Sequence, residues 1–152
     1  MIKIIYTDAT KCAIKIAFDA HNGQYDKSGL PYILHPIHLA EQMTDETSII
    51  VALLHDVVED SNYTLEELSE YGLGKEKEEV VEALRLLTHD KSVPYMDYIE
   101  AIKSNPIARK VKIADLKHNS DLTRLKPTKV DLKRVEKYKQ ALEILMEADR
   151  KE

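Results

Sequence analysis

The stretch ALLHDVVED, from Ala52 to Asp60, places a histidine and three acidic residues in and directly after an apolar run. Apolar residues lie on most sides of the helix predicted here, from about Thr47 to Glu59, which indicates that the helix is buried on several sides. An unpaired carboxylate in a dry interior costs roughly several kcal/mol. Either His55 and Asp56 have a buried partner, or the helix frays near Val58, the two acidic residues after it are solvated and the histidine is a hydrogen-bonded core residue.

The composition indicates an ordinary folded domain. With 152 residues, 43% hydrophobic and 32% charged, the chain can bury one core, and we expect a single domain over residues 1–152. The net charge of −5 argues against a partner that is a nucleic-acid polymer. A single cysteine, Cys12, excludes an intrachain disulfide and fits a cytoplasmic protein. The longest apolar run, Ile49 to Leu54, is too short to span a membrane, and the sequence begins without an export signal.

Helix is the main signal along the whole chain. Apolar residues recur every three to four positions, no stretch alternates with a period of two, and glycine and proline are rare. The sequence therefore predicts an all-α bundle of about eight helices. They cover about residues 8–21, 36–43, 47–59, 64–71, 75–87, 94–103, 106–125 and 128–148. Thr64 with Glu67, and Thr128 with Asp131, are spaced as capping boxes. The last helix either covers the bundle or pairs with a second copy, so we expect a monomer or a homodimer.

A second unusual histidine lies in PYILHPIHLAEQM. His35 directly precedes Pro36, and a residue in that position is normally held extended, which would fix where its imidazole projects. His38 is predicted to be partly exposed or to fill the core. The pair His89-Asp90, near a helix end without an apolar face behind it, is interpreted as a solvated loop.

The third unusual position is Asp115, in ARKVKIADLKHN, on the apolar side of a predicted helix with Asn119 one turn further on the same face. A lone aspartate in such a place needs a cation or a hydrogen-bond donor. A local alternative is a salt bridge to one of three basic residues within reach: Lys112, Lys117 or Arg124.

Together these positions indicate a metal site. His35, His55, Asp56 and Asp115 supply two imidazoles and two carboxylates from three predicted helices. A mixed set of nitrogen and oxygen ligands suits Mn²⁺, Fe, Co or Zn better than Mg²⁺ or Ca²⁺. Four protein ligands on an octahedral ion leave positions for water and substrate, which is typical of a catalytic ion.

Three motifs in order carry a family resemblance. They are AHNGQYDKSGLPYILHP, from Ala20 to Pro36, then ALLHDVVED, and then VKIADLKHN, from Val111 to Asn119. At these separations the chain, from about Ala9 to Leu125, resembles the hydrolase domain of the RelA/SpoT enzymes. It is most similar to the free-standing small alarmone hydrolases of the HD superfamily of metal-dependent phosphohydrolases.

The resemblance implies an all-helical bundle around Mn²⁺ that takes part in the stringent response. The implied reaction removes the 3′-pyrophosphate of guanosine tetra- or pentaphosphate (ppGpp or pppGpp) and gives GDP or GTP. The metal falls on the four residues already identified from their burial. Glu59 and Asp60 correspond to the pair that activates and orients the water. Lys27 and Ser28 match a loop that borders the nucleotide, and Asn119 matches an asparagine that contacts its ribose.

Two departures from the family pattern concern recognition of the base. Asp26 stands where the alarmone hydrolases usually have an arginine that helps to hold guanine, and an aspartate cannot stack its charge on a purine as a guanidinium does. It could instead accept hydrogen bonds from the Watson–Crick edge. Leu116 replaces a basic residue. Another branch of small HD proteins shares the DK and ADL sequences and a motif like Tyr95 to Ile99, so the base and the phosphate that is cleaved stay open.

The mechanism predicted from the residues is metal-assisted hydrolysis of a phosphoester or pyrophosphate. Glu59, desolvated and near the ion, would take the proton, while Asp60 would fix the water's line of attack. Lys27 would neutralise the phosphates, helped by one further basic residue from Arg109, Lys110, Lys112 or Arg124. Tyr95 and Tyr98 would either stack on a base or pack in the core.

Three other functions stay open at this point. The first is hydrolysis of another phosphorylated nucleotide at the same metal, for example of the 2′-phosphate of NADPH. The second is a non-catalytic HD module that binds a nucleotide or a partner and has no need of Glu59 beside the metal. The third is a structural helical domain whose histidines and aspartates are hydrogen-bonded in the core.

Overall fold

The computed structural model describes residues 4–123 and 128–152, and this part of the chain is helical apart from its loops and one isolated pairing of Tyr25 with Pro31. Nine helical segments occur in it: α1 (Asp8–Ala20), α2 (Leu34–Glu41), α3 (Glu46–Leu54), α4 (Val57–Asp60), α5 (Leu65–Ser69), α6 (Lys77–Leu87), α7 (Tyr95–Lys103), α8 (Pro106–Asn119) and α9 (Lys129–Arg150). The prediction of an all-α fold is confirmed. No helix in residues 4–123 and 128–152 is long and apolar enough to cross a membrane.

Helix α3 is the centre of the core. Its residues Ile49 to Leu54 have no exposed surface, because α1, α2, α6 and α8 all pack against it. Full burial of each large aliphatic side chain contributes about 1.5–3 kcal/mol. The ends of α3 and α8 are thereby fixed close together in the interior.

The prediction of a single helix over residues 47–59 is wrong, because the helix is interrupted after Leu54. The Nδ1–H of His55 donates a hydrogen bond to the carbonyl of Ala52 at 2.6 Å. A continuous helix would give that carbonyl to the N–H of Asp56. Asp56 instead has φ −106° and ψ −1°, and α4 begins at Val57. The interruption contains neither proline nor glycine, so a side chain competing for a backbone acceptor accounts for it.

Helix α2 begins at Leu34, two residues before the predicted start. His35 is therefore in the first helical turn, and the expectation that it is extended is wrong. Pro36 is tolerated here because the first turn needs no N–H donor from it. His38 is exposed, as one of the two predicted alternatives has it.

Helix α8 ends at Asn119, short of the predicted residue 125. The last part of that prediction, including Arg124 and Leu125, lies outside the described residues. The predicted capping box of α9 is confirmed: the Thr128 hydroxyl accepts the N–H of Asp131, and Asp131 accepts the N–H of Thr128. At α5 only half of the box is present, since Thr64 accepts the N–H of Glu67 without the reciprocal bond.

Helix α9 covers the bundle by packing on α7 and α8, with Ala141 and Leu145 fully buried. Arg109 of α8 holds its far end. That guanidinium is 3% exposed and pairs with Asp149 and Glu152 while also donating to the Lys103 carbonyl. Arg109 therefore joins two helices, which removes it from the four basic residues named as alternatives for binding phosphate beside Lys27.

Candidate metal centre and adjoining cavity

The four predicted ligand residues meet at the junction of three elements. One donor atom from each of His35, His55, Asp56 and Asp115 lies within 4.8 Å of the others. His35 comes from the first turn of α2, the adjacent pair from the interruption between α3 and α4, and Asp115 from α8. His35 Nε2 is 2.9 Å from Asp115 Oδ1, and His55 Nε2 is 3.0 Å from Asp56 Oδ2. Both histidines and Asp115 are buried.

The state of His55 indicates that the cluster is built around a cation. Its Nδ1 carries the proton that bonds the Ala52 carbonyl, which in the neutral ring leaves a lone pair on Nε2. Nε2 is buried and has no hydrogen-bond partner, although Asp56 Oδ2 and Asp115 Oδ1 are 3.0 and 3.5 Å away. A lone pair facing two carboxylates is repulsive unless a cation or a proton lies between them. The donor set therefore fits a divalent metal of the borderline class.

Both carboxylates are held in the ionised form. Burial acts to raise the pKa of Asp56, but in the metal-free protein a proton on His55 Nε2, the alternative to a cation at this place, lowers it to about 2. Burial acts in the same direction on Asp115, and Lys112 together with the two histidines holds its pKa well below the usual range. Two ionised carboxylates in the interior are the ligand form that a metal requires.

The ligands are themselves held by a surrounding set of side chains. The Tyr32 hydroxyl donates a hydrogen bond to Asp56 Oδ2. Asp115 receives two, from Asn119 Nδ2 to Oδ1 at 2.9 Å and from Lys112 Nζ to Oδ2 at 2.8 Å. The salt bridge to Lys112, weighed above as an alternative to a metal, is thus present together with the cluster. Lys117 is exposed.

A cavity of about 430 Å³ adjoins the centre. Tyr32 and Asn119 line it and also bond the candidate ligands, so the cavity and the cluster share a wall. All three residues predicted to bind the substrate, Lys27, Ser28 and Asn119, line this cavity. Arg134 and Tyr138 of α9 line it too, although neither was predicted from the sequence.

The loop before α2 is closed by Asp26. Its Oδ1 accepts hydrogen bonds from the N–H and the hydroxyl of Ser28 and from the N–H of Leu30. This oxygen is therefore committed to the loop, although the residue also lines the cavity. The ammonium of Lys27 lies 3.4 Å from Asp131 Oδ1, which joins the loop to the start of α9.

Glu59 and Asp60 end α4, three and four residues after the candidate ligand Asp56. Glu59 is exposed, so its expected desolvation is wrong, and its Oε1 accepts the N–H of His89 at 2.5 Å. His89 is half-buried, whereas Asp90 and the residues after it up to Pro94 are exposed, so the prediction of a solvated loop is confirmed for Asp90 and wrong for His89. Loss of hydration, followed by the charges of Asp56 and Glu59, raises the pKa of Asp60 to about 6.

Gln24 holds the same segment from the other side. Its Nε2 donates to the carbonyls of Asp60 at 2.7 Å and Ala20 at 3.2 Å, and its Oε1 lies 2.8 Å from His21 Nδ1. Gln24, Tyr32 and His118 were not predicted as functional residues from the sequence. Their signal was position, because all three lie within the motifs that carry the family resemblance.

Other candidates belong to the packing of the bundle. Tyr98 is buried and donates its hydroxyl to the Leu87 carbonyl, and Tyr95 lies beside it, which settles both as packing residues. Leu116 is fully buried, so its apolar side chain is part of the core. Lys110 lies 3.6 Å from Asp45 at the surface.

Comparison with known proteins places this geometry in a family. The pattern of the HD domain matches residues 13–125, so the chain belongs to the HD-domain family. The chain is 40% identical over 125 residues to the mouse guanosine-3′,5′-bis(diphosphate) 3′-pyrophosphohydrolase MESH1, covering 74% of this chain and 68% of that protein.

A probable GTP pyrophosphokinase from Mycobacterium leprae is 34% identical over 143 residues. The match covers 88% of this chain but only 18% of that protein, so the chain spans less than a fifth of this long relative. Among solved structures, a metazoan ortholog of SpoT that hydrolyses ppGpp matches with a TM-score of 0.73 and 25% identity, covering 96% of this chain and 88% of that one.

Proposed function

We propose that this protein is a metal-dependent hydrolase that removes the 3′-pyrophosphate of ppGpp and pppGpp and releases GDP and GTP. The observation that carries the proposal is the convergence of four ligand atoms within 4.8 Å beside a cavity of about 430 Å³. The reaction is the one that MESH1 is named for, and the metazoan SpoT ortholog likewise hydrolyses ppGpp. A cytoplasmic location and a monomeric or homodimeric state are part of the same proposal.

The metal would be held by His35, His55, Asp56 and Asp115, with Mn²⁺ as the first candidate and Fe, Co and Zn as alternatives. A divalent ion at this place supplies Lewis-acid stabilisation of charge on the phosphoryl group and activation of a water molecule. The buried, ionised carboxylates and the unpartnered Nε2 of His55 support this assignment.

The chain's own residues supply the acid–base and binding steps. Glu59 takes the proton of the attacking water, with its carboxylate oriented by the His89 N–H, and Asp60 fixes the water's direction. Lys27 neutralises phosphate charge from the cavity wall, and Arg134 faces the same space. Ser28 and Asn119 contact the nucleotide.

A second candidate is the hydrolysis of a different phosphorylated nucleotide at the same metal, such as NADPH at its 2′-phosphate. The observation in its favour is Asp26, a carboxylate in the cavity wall where the alarmone hydrolases usually have an arginine. The two reactions differ in their product, since one releases pyrophosphate and the other orthophosphate.

The test incubates the protein with Mn²⁺ and, separately, ppGpp, pppGpp and NADPH, and identifies both products by mass. We expect GDP or GTP with pyrophosphate, loss of turnover in His55→Ala, and wild-type turnover in His38→Ala, which changes an exposed histidine outside the cluster. Orthophosphate as the sole product would contradict the proposal in favour of the second candidate. Nucleotide binding that survives Glu59→Ala, with no wild-type turnover, would indicate a non-catalytic module.

A further inference from the structure

We propose that His118, which is not one of the four candidate ligands, positions the ligand His35 by accepting a hydrogen bond from its Nδ1. The two Nδ1 atoms are 2.6 Å apart, and the ring planes are within 12° of parallel with centres 4.9 Å apart. Stacked faces keep a van der Waals separation of about 3.5 Å or more, so nitrogens at this distance require the rings to meet edge to edge. The contact is a hydrogen bond in the plane of both rings.

The orientation of His35 gives this hydrogen bond its direction. Nε2 of His35 faces the cluster, 2.9 Å from Asp115 Oδ1 and 3.9 Å from Asp56 Oδ2. A nitrogen that binds a metal must be unprotonated, which leaves the proton of the neutral ring on Nδ1. His118 Nδ1 accepts that proton's hydrogen bond, which fixes both the tautomer and the rotation of the His35 ring.

The position of His118 in the fold suits this task. It lies on α8, three residues after the ligand Asp115, while His35 lies on α2. Its ring also lies beside that of His38, with centres 4.4 Å apart, so His38→Ala tests ring packing separately from the hydrogen bond. Hydrogen bonds of this kind to a ligating histidine typically contribute 10- to 100-fold in metal affinity or activity.

The inference rests on the metal site of the proposed function, and its test reads metal affinity directly. The dissociation constants of Mn²⁺ and Co²⁺ are measured by titration calorimetry on the full chain, with the absorption spectrum of bound Co²⁺ as a second readout. We expect His118→Ala to raise the dissociation constants of both ions by about 10- to 100-fold. His118→Asn, whose side-chain oxygen can occupy the place of Nδ1, should recover most of the affinity. His38→Ala should bind as the wild type does.

Three results would overturn the inference: unchanged affinity in His118→Ala, no recovery in His118→Asn, or an equal loss in His38→Ala. The last would mean that ring packing, and not the hydrogen bond, supports the site. Wild-type metal binding without nucleotide turnover would contradict the proposed function alone. Absence of metal binding in the wild type would contradict both. Thermal unfolding of each metal-free variant identifies any that fails to fold, and the asparagine variant then decides.

Discussion

Lys112 Nζ lies 2.8 Å from Oδ2 of Asp115. Lys112 precedes Asp115 by one turn of α8, and both side chains lie almost completely inside the bundle. Burial acts to lower the pKa of Lys112, but the Asp115 carboxylate raises it well above its usual value. This is a buried ion pair beside the candidate ligands, and its removal leaves a buried charge with one partner fewer.

The first prediction concerns the stability of the metal-free protein. Lys112→Met should lower its free energy of unfolding by about 3 kcal/mol, because breaking a buried pair leaves the Asp115 charge without its lysine partner. Urea unfolding in the presence of EDTA measures this. Lys110→Met, at a more exposed position with a surface ion pair, should cost less than about 1 kcal/mol. Equal losses in the two variants would contradict the prediction.

The second prediction concerns Tyr32, whose hydroxyl bonds Asp56. Tyr32→Phe should weaken Mn²⁺ binding by about tenfold or more, because a hydrogen bond to a charged group contributes about 1.5–3 kcal/mol. Calorimetric titration gives the dissociation constant. Tyr25→Phe is the matched control, since that ring lines the same cavity and is 68% exposed. A loss of the same size in the control would mean that the cavity wall, and not the bond, matters.

The third prediction separates catalysis from metal binding. Glu59→Gln should lower kcat by about 10²- to 10⁴-fold, the usual contribution of a general base. The affinity for Mn²⁺ should not change, because Glu59 lies outside the ligand set. Glu66→Gln, an exposed residue in the first turn of α5, should leave kcat as it is. Full activity in Glu59→Gln would remove this residue from the mechanism.

The fourth prediction concerns Gln24, which holds the end of α4 through the Asp60 carbonyl. Gln24→Ala should lower kcat and speed amide hydrogen exchange in α4, while costing about 1 kcal/mol of stability. Gln42→Ala provides the comparison, because that amide is bonded to the His38 carbonyl at an exposed place. Unchanged exchange in α4 would show that the segment is held by other contacts.

The fifth prediction is a dependence of stability on pH. Bonds from the Thr128 N–H and hydroxyl, followed by Lys27, lower the pKa of Asp131 to about 2. A carboxyl with a lowered pKa stabilises the folded state above its unfolded pKa of about 3.9, and this is lost as the pH falls toward about 2. The free energy of unfolding should therefore fall more steeply over this range in the wild type than in Asp131→Asn. The same dependence of the free energy of unfolding on pH in both proteins would contradict the prediction.

Much of the fold could be predicted because helices and their caps depend on residues that are close together in the sequence. The apolar spacing indicated the helices, and Thr128 with Asp131 marked the start of α9. The same reasoning failed between Leu54 and Val57, where the His55 side chain takes a backbone acceptor. The spacing of apolar residues does not show whether a side chain competes for a backbone carbonyl. A continuous helix was therefore predicted.

The sequence could predict those site residues whose polar or charged side chains lie on an apolar, buried surface. His55, Asp56 and Asp115 stood out because each interrupts an apolar surface. Tyr32 and His118 did not, since a tyrosine and a histidine beside polar residues are ordinary, and their role depends on contacts between helices distant in sequence. The apolar residues next to Glu59 in the sequence led to the expectation that it is desolvated. Its exposure depends instead on where α4 lies in the fold.

The interruption before α4 links the candidate ligands to the acidic pair Glu59 and Asp60. Neighbouring residues on a regular helix diverge by about 100°, which would direct His55 and Asp56 to different sides. Here both meet at one point, and the Asp56 carbonyl also accepts the N–H of Asp60 at 2.9 Å, within the same short turn as Glu59. Asp56 thus belongs at once to the candidate ligand set and to the turn that carries the acidic pair. An ion held by Asp56 and the orientation of Glu59 and Asp60 would therefore depend on each other.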